Sequence, residues 1–572
     1  MKMDKAAKEA IRKHAIKNAI DYGKAKLENV IGKAIKELPG IPVPEIKTEV
    51  QAAVDAVNAM SAAELEKEYA PFKETFEQKA KEKIEKTAKP TMAIEGAEEG
   101  KVVTRFPPEP GGYMTIGNSK QCLLSEEFAK IYKGKVYLYF DDTNPEKCKQ
   151  EYVDGMKRDT AWLGVRFDKE YYASDFIEKV YDCGRKLMQK NDAYVCLCGG
   201  DEVKKNRLAM VECKHRLQAA EQNLSLFDDM LKGKYEEGLA IVRFKGDMAS
   251  DNSAFRDPTL FRIKKTKHYR QGEKYVVWPT YHINTLVVDN LNGVTDAIRD
   301  KNYEIWDGVH RKILADLGLK PPRFLYEARL NIKGAAAGKR VLRKLVKEGM
   351  VAGWDDPRLT TIVALKRRGI QPEAIRSFVL RFGMSKVDSM VSMDMLLAEN
   401  KKLIDPIAKH LFFVRDPVKI IVKDAPRTDA KLRLHPSNDV GFREYHANGT
   451  FYIDREDSSV LKKGELIRLK DLIGLRITAK ADDCISTEIS SNQEGKIMQW
   501  VSDGNYMKCS VMIPGELLND DETVRNDSLK VAEGYVESYA SKLKEREIVQ
   551  FERFGYCVLD EAKSLRFIFI SR

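Results

Sequence analysis

Residues 104–120 read Thr-Arg-Phe-Pro-Pro-Glu-Pro-Gly-Gly-Tyr-Met-Thr-Ile-Gly-Asn-Ser-Lys, a run with the parts of an anion site. Val102, Val103 and Phe106 can close a buried strand, and Pro107, Pro108 and Pro110 bar its continuation as a helix. Gly111 and Gly112 then allow a tight turn before a helix that reads from Ser119 onward. A strand, a Gly-rich turn and a helix N-terminus together favour a phosphate, through free N–H groups and the dipole of the first turn. Thr115 and Asn118 can donate hydrogen bonds there, but neither side chain can become cationic. A second set with chemical potential is Cys196-Leu197-Cys198 followed by Cys213-Lys214-His215. Three thiolates and an imidazole in two ligand pairs suit tetrahedral zinc; the alternative is three buried thiols and a surface histidine.

These residues need a scaffold. Lys135–Phe140 is a short apolar run suited to a buried parallel strand and ends in Asp141-Asp142. Ligands of open α/β sheets sit at the carboxyl ends of strands, where both the Pro/Gly run and the Asp pair fall. Val276–Tyr281 and Val294–Arg299 read as two further strand ends of that sheet, separated by a helix-compatible stretch around Val288–Leu291. Between them, roughly residues 182–274 read as an insertion with helices and a β-rich second half. Residues 1–98 read as helices, interrupted at Pro39, Pro42 and Pro44, with a densely charged stretch over Glu64–Lys89 and a switch at Met92–Gly100. Residues 320–404 are mostly helical and basic. After Asp405 come short strands: Val418–Val422, Thr450–Ile453, Glu465–Leu469, Leu475–Thr478, Lys508–Ile513 and Phe567–Ile570, an all-β pattern of one or two barrels.

The bulk composition narrows the class. A chain of 572 residues is too long for one core. Its formal charge of +11 favours an acidic partner such as nucleic acid. No run approaches the roughly 20 apolar residues needed to span a bilayer. The Lys-rich start lacks the apolar segment of a secretory signal. Nine scattered cysteines suit reduced thiols, so a cytoplasmic protein is expected.

The opening run resembles the signature of class I aminoacyl-tRNA synthetases, in the Pro-Pro-Glu-Pro form shared by the glutaminyl and archaeal/eukaryotic-type glutamyl enzymes. The family's His-Ile-Gly-His is here Thr115-Ile116-Gly117-Asn118, a version also typical of tryptophanyl enzymes. Residues 329–340, Arg-Leu-Asn-Ile-Lys-Gly-Ala-Ala-Ala-Gly-Lys-Arg, resemble the glutamyl/glutaminyl version of the KMSKS loop, with Gly338 in place of the usual Ser. Trp354-Asp355-Asp356-Pro357-Arg358, with the basic tail Lys366-Arg367-Arg368, resembles a family segment suited to the tRNA backbone. Asp416-Pro417-Val418-Lys419, Leu469-Lys470-Asp471-Leu472 and residues 550–555 resemble landmarks of the anticodon-binding barrels. The resemblance runs through nearly the whole chain, in family order, and is nearest to the archaeal-type glutamyl branch.

The resemblance implies a Rossmann-type catalytic domain over 99–320 holding an acceptor-stem-binding insertion at 182–274. It further implies a KMSKS-type loop and stem-contact region over 321–404 and anticodon-binding barrels over 405–572, after a helical extension of 1–98. It implies ATP with Mg²⁺, glutamate and tRNA for glutamate as partners and no membrane; use of tRNA for glutamine stays open, as does the oligomeric state, with a monomer favoured. Lys339, Arg340, Thr115 and Asn118 take the catalytic positions, Lys339 meeting the charge that moves onto pyrophosphate. Glu109, Gly117, Arg329 and Leu330 fall at ATP-binding positions. Arg105, Asp141, Tyr281 and Arg299 fall at amino-acid-binding positions. Arg299 favours glutamate, since bacterial glutaminyl enzymes carry a small neutral residue there and glutamyl enzymes carry Arg. Cys196, Cys198, Cys213 and His215 match a zinc pattern of several archaeal relatives. Three other positions depart from the family: Tyr139 stands for Arg, His282 for Asp and Asp296 for His. The expected activity is attachment of glutamate to the 3′ end of tRNA through an adenylate. A glutaminyl enzyme and a silent tRNA-binding paralogue are the alternatives.

Overall fold

The computed structural model describes residues 5–22, 24–38, 41–61, 64–72, 94–336, 338–519 and 521–572. The chain forms two compact units, Met1–Pro90 and Thr91–Arg572. The first contains the helices Lys5–Tyr22, Leu27–Glu37 and Val43–Asn58, packed through Ile11, Ala15, Val30, Ile46, Val50 and Val57. Asn58 bonds both backbone groups of Ala25, N–H at 2.8 Å and C=O at 3.0 Å, which satisfies the chain just ahead of the second helix. Most of the charged stretch Glu64–Lys89, and the start of the switch at Met92, lie outside the described residues.

The second unit opens with three parallel strands: β1 (Val103–Phe106), β2 (Lys135–Phe140) and β3 (Lys169–Tyr172), with β2 in the middle. An antiparallel sheet follows, made of β4 (Ala193–Cys196), β5 (Ile241–Phe244), β6 (Thr259–Ile263) and β7 (Val277–Pro279). The chain then returns through the helix Tyr281–Leu291 to β8 (Asp296–Asp300), which pairs in parallel with β9 (Arg323–Glu327). The Thr295 N–H donates to Val103 O at 3.0 Å and its hydroxyl accepts from Val103 N at 2.8 Å, so β8 lies beside β1. The spatial order is β3-β2-β1-β8-β9. The order reverses between β1 and β8, the point where open α/β sheets bind ligands.

One expectation is corrected. Residues 276–281 do not end a strand of the parallel sheet: Val277–Pro279 pairs antiparallel with Thr259–Ile263 in the inserted sheet. Tyr281 is the first residue of a helix capped by Thr280, whose hydroxyl accepts from His282 N. A three-residue apolar strand carries no mark of which sheet will bury it.

The helices Lys339–Lys347, Ile362–Arg367, Pro372–Leu380 and Met393–Ile404 follow, with β10 (Leu330–Ile332) parallel to β11 (Ser389–Val391). The rest is mainly β-structure: the hairpin Thr428–Arg433 with Phe442–Ala447 and two seven-stranded sheets. In one, the edge strands Lys409–Leu411 and Phe413–Arg415 are separated only by Phe412. In the other, the edge strands Lys496–Met498 and Val501–Ser502 are separated by Gln499 and Trp500. Each sheet is thus closed by a chain crossing between its own two edges, and each surrounds its own apolar core. Among the described residues, no helix is long and apolar enough to cross a membrane.

Candidate active site

The Pro/Gly run leaves β1 and lies along the turn after β2: Asp141 N–H donates to Pro108 O, and Lys149 N–H to Pro110 O, both at 3.1 Å. Thr115 caps the helix Ile116–Ile131. Asn118 N–H donates to Thr115 Oγ1 at 3.4 Å, and Asn118 Oδ1 accepts from Thr115 N at 3.2 Å and from the Thr115 hydroxyl at 3.1 Å. This is a capping box, with Asn in the place of the usual Glu or Gln. The single Thr115 hydroxyl proton is therefore committed, and the Asn118 amide N–H groups are the side-chain donors that remain. The loop is fixed from below by Ile116 N–H to Thr360 O at 3.0 Å and Ile362 N–H to Met114 O at 2.8 Å. A Cβ at Gly117 would meet only Thr115 Oγ1, at 3.7 Å, so the space over the helix start is open.

Lys339 begins the helix Lys339–Lys347 and reaches into the same loop, its Nζ donating to Glu109 O at 2.6 Å. Its stem lies across Gly112. A Cβ there would sit 3.1 Å from the Trp354 ring and 3.4 Å from Lys339 Cδ, which is why a glycine is needed. Burial lowers the Lys339 ammonium to about 8, with Glu109 pulling the other way. Gly338 adopts φ 88, ψ 143, a conformation closed to Ser, so the missing hydroxyl follows from the backbone. Arg340 is exposed. The loop is also gripped by a C-terminal barrel. Gly334 O accepts from Leu517 N and Leu518 N, both at 2.9 Å, while Ala336 packs with Leu342, Leu359, Leu517 and Leu518. Of the other two expected nucleotide contacts, Arg329 is exposed and bonded to the Asp300 carboxylate. The Leu330 side chain is buried in the core within β10, leaving only its backbone to face a ligand.

The cluster expected to take the amino acid is buried. Arg105 is fully enclosed; its Nε meets Asp289 at 3.1 Å and its Nη1 donates to Ile298 O at 2.9 Å, while Nη2 has no partner among the described residues. Arg299, 2 % exposed, lies over the Phe324 ring at 3.8 Å and bonds His310 Nδ1 through Nη1 at 3.1 Å. Its Nε and Nη2 are buried without partners among the described residues. His310 Nε2 in turn faces His282 Nδ1 at 3.1 Å. Burial holds both imidazoles neutral, His310 at about 2 and His282 at about 4, with Arg299 adding to each shift and Arg207 to that of His282. Tyr281 packs on Tyr303 at 4.7 Å, and its ring centre lies 5.8 Å from the Arg299 guanidinium. Asp141 is raised to about 7 by burial and then by Glu109 and Asp142. Asn284 Nδ2 links it to Tyr139, at 3.1 Å to Asp141 Oδ1 and 2.7 Å to the tyrosine hydroxyl. Asp142 points away, accepting from Ser174 N and Oγ at 2.8 Å and from Tyr269 at 3.1 Å.

Two departures from the family pattern are resolved by this geometry. Asp296, in place of His, forms a two-armed ion pair with Arg323 at 2.6 and 2.8 Å and is structural. Tyr139, in place of Arg, stacks on Tyr171 at 5.0 Å and is held by Asn284. Sequence reasoning passed over Asn284, Asp289 and His310. Their only signal is a polar residue on an apolar helical face, which reads equally well as a satisfied core group.

In the insertion, the Cys196, Cys198 and Cys213 sulfurs and the His215 ring lie within 4.8 Å of one another. Cys213 Sγ is 3.6 Å from Cys196 Sγ, 3.3 Å from Cys198 Sγ and 3.2 Å from His215 Nδ1. A tetrahedron with Zn–S bonds of about 2.3 Å has edges of about 3.8 Å, so the donor set matches a zinc-sized centre.

Comparisons with known proteins bear on the whole chain. Residues 101–406 match the model of the tRNA synthetases class I (E and Q), catalytic domain. Residues 408–493 and 497–560 match two models of the anti-codon binding domain of the same class. The chain is 38% identical to the glutamate–tRNA ligase of Nitrosopumilus maritimus over 565 residues, covering 98% of each chain. It is 38% identical to that of Pyrococcus furiosus over 575 residues, again 98% of each, and 37% identical to that of Cenarchaeum symbiosum over 553 residues, 96% of each. A family model spanning more than half of the chain, and near-complete coverage of relatives at this identity, lead to one conclusion: the chain belongs to the class I tRNA synthetases of the glutamate and glutamine (E and Q) family.

Proposed function

We propose that the chain is a glutamate–tRNA ligase, activating glutamate with ATP and passing the glutamyl group to the 3′ end of tRNA. The full-length relatives carry that description. The observation that carries the choice of amino acid is Arg299, a buried guanidinium with two unpartnered nitrogens and no ion pair among the described residues. A buried charge without a counter-ion is costly, and the γ-carboxylate of glutamate supplies one that glutamine lacks.

In this reading Arg105 and Arg299 receive the two carboxylates of glutamate, Tyr281 lines the pocket, and Asp141 in its ionised form takes the α-ammonium. An oxygen of the α-carboxylate attacks the α-phosphorus of ATP, and the bond to pyrophosphate breaks. Lys339, swinging from Glu109 O toward the β/γ-phosphates, offsets the charge that moves onto the leaving group. Arg340 and the Asn118 amide lie at the same end, and Glu109, Gly117 and the Arg329–Leu330 backbone border the nucleotide. Mg²⁺ on the phosphates supplies further charge neutralisation. A terminal ribose hydroxyl of tRNA then attacks the acyl carbon and AMP departs.

The inserted segment would hold the acceptor stem, with a structural zinc on Cys196, Cys198, Cys213 and His215. The closed barrels would take the anticodon; a cleft lined by Lys431, Arg433, Arg443, Lys470 and Arg553, with Asp471 and Glu552 among them, keeps an excess of positive charge for it.

ATP–pyrophosphate exchange with glutamate or glutamine, each with and without tRNA, tests the assignment. Exchange with glutamate when tRNA is present is expected. Exchange with glutamine alone would make it a glutaminyl enzyme, and none under any condition would leave a silent tRNA-binding protein.

A further inference from the structure

The Arg299 guanidinium is held by an imidazole, where a carboxylate is the ordinary choice. Nη1 can only donate, so His310 Nδ1, 3.1 Å away, must present its lone pair. The ring proton then belongs on Nε2, which faces His282 Nδ1 at 3.1 Å as the next acceptor. His282 is fixed in turn by the Trp306 ring, 4.0 Å away. The three groups form a directional chain, Arg299 Nη1 to His310 to His282, linked by two neutral acceptors and no anion. Phe324 covers one face of the guanidinium at 3.8 Å. Asp289 is the carboxylate nearby, and it is engaged by Arg105 at 3.1 Å. Two buried guanidiniums therefore share one carboxylate, and the surplus positive charge rests at Arg299.

We infer that His310, backed by His282, is a positioning residue for amino-acid selection: it holds Arg299 by one N–H and adds no negative charge, so the rest of the guanidinium edge keeps its full attraction for a second carboxylate on the substrate. This rests on the glutamate reading of the site. A Glu or Asp at position 310 would make an equivalent hydrogen bond but would neutralise the guanidinium in a dry pocket, where an ion pair already formed has little left to offer a ligand. The chemistry also explains the departure at position 282. An Asp there would return an anion to the chain through His310, whereas a histidine continues it neutrally.

The test compares wild type, His310→Gln and His310→Glu in full-length protein. Equilibrium binding of glutamate and glutamine is followed by titration calorimetry, and kcat and KM by tRNA charging. His310→Gln keeps an acceptor for Nη1 and a donor for His282 and should recover most of the glutamate preference. His310→Glu should weaken glutamate binding about 10- to 100-fold, in KM and not kcat, with glutamine changed far less. A wild-type glutamate-to-glutamine ratio in folded His310→Glu would overturn the inference. If that variant melts below assay temperature, His310→Leu replaces it. Loss of the acceptor should then raise the glutamate KM about tenfold, and a wild-type KM would overturn the inference instead. The two readings fail separately: wild type that binds glutamate without charging tRNA removes the ligase assignment, while binding ratios still decide the role of His310.

Discussion

At the phosphate end of the site, Thr115 and Asn118 satisfy each other and Lys339 rests on a main-chain carbonyl. At the end expected to take the amino acid, Arg105 Nη2, Arg299 Nε and Nη2, Asn284 Oδ1 and the Tyr171 hydroxyl are buried without partners among the described residues. Buried polar atoms are normally paired, so the second region is built around groups that a ligand must bring. The first is built from backbone and self-satisfied side chains, and it needs little from the particular residues at positions 115 and 118. That contrast explains why the family's two signature histidines are replaceable here, whereas the guanidiniums are retained.

The contrast can be broken most directly at Lys339, the cation that reaches into the Pro/Gly loop. Lys339→Ala should lower the rate of ATP–pyrophosphate exchange by about 10²- to 10³-fold while glutamate still binds in calorimetry. A loss below tenfold would mean that backbone groups suffice even for the leaving group.

Asp141 sharpens the other side. Its folded value of about 7 lies above the ordinary carboxylate range, so the folded chain holds a proton that the unfolded chain releases. Stability therefore falls as pH rises from about 4 toward 7, and the penalty is complete above that. Asp142, raised to about 6 mainly by burial, adjoins it and adds to its upward shift. Ionised Asp141 is the form that binds an ammonium, so the glutamate KM should rise as pH drops through about 7. Asp141→Asn should raise the melting temperature at pH 8 but not at pH 4, and should raise the glutamate KM at pH 8. An unchanged KM would remove Asp141 from the amino-acid site.

The insertion offers an intermediate effect. Purified protein should hold about one zinc per chain by elemental analysis. Cys198→Ser should release it, lower the melting temperature, and raise the KM for tRNA more than that for glutamate. Fully folded wild type without zinc would discard the site.

The smallest effect is expected at the signature itself. Thr115→His and Asn118→His should change the activation rate less than about tenfold and leave glutamate preferred over glutamine. Thr115→His should also cost roughly 1 kcal/mol of stability through the lost cap, seen in thermal melts.

Much of the scaffold was legible. Lys135–Phe140, Val418–Val422 and Thr450–Ile453 appear as strands with the bounds their apolar runs suggest. The hairpin Thr428–Arg433 with Phe442–Ala447 was missed, because its one buried face carries too few apolar residues to set a period of two. The site was legible where a motif carries it. Its supports were not: Asp289, Asn284 and His310 come from two separate helices and meet Arg105, Asp141 and Arg299 only in the folded chain. Thr115 and Asn118 carried a local sign, a threonine followed three residues later by an amide at a helix start, which reads as a cap before it reads as a phosphate ligand.

The carbonyl of Gly334 takes two N–H groups from the C-terminal barrel, and a Cβ at that glycine would strike Glu516 at 2.6 Å. The barrel is therefore not a detachable reader of tRNA. A chimera that grafts another recognition module behind residue 404 would leave the Lys339 loop without two of its anchors, unless the graft brings a loop with donors at the positions of Leu517 and Leu518.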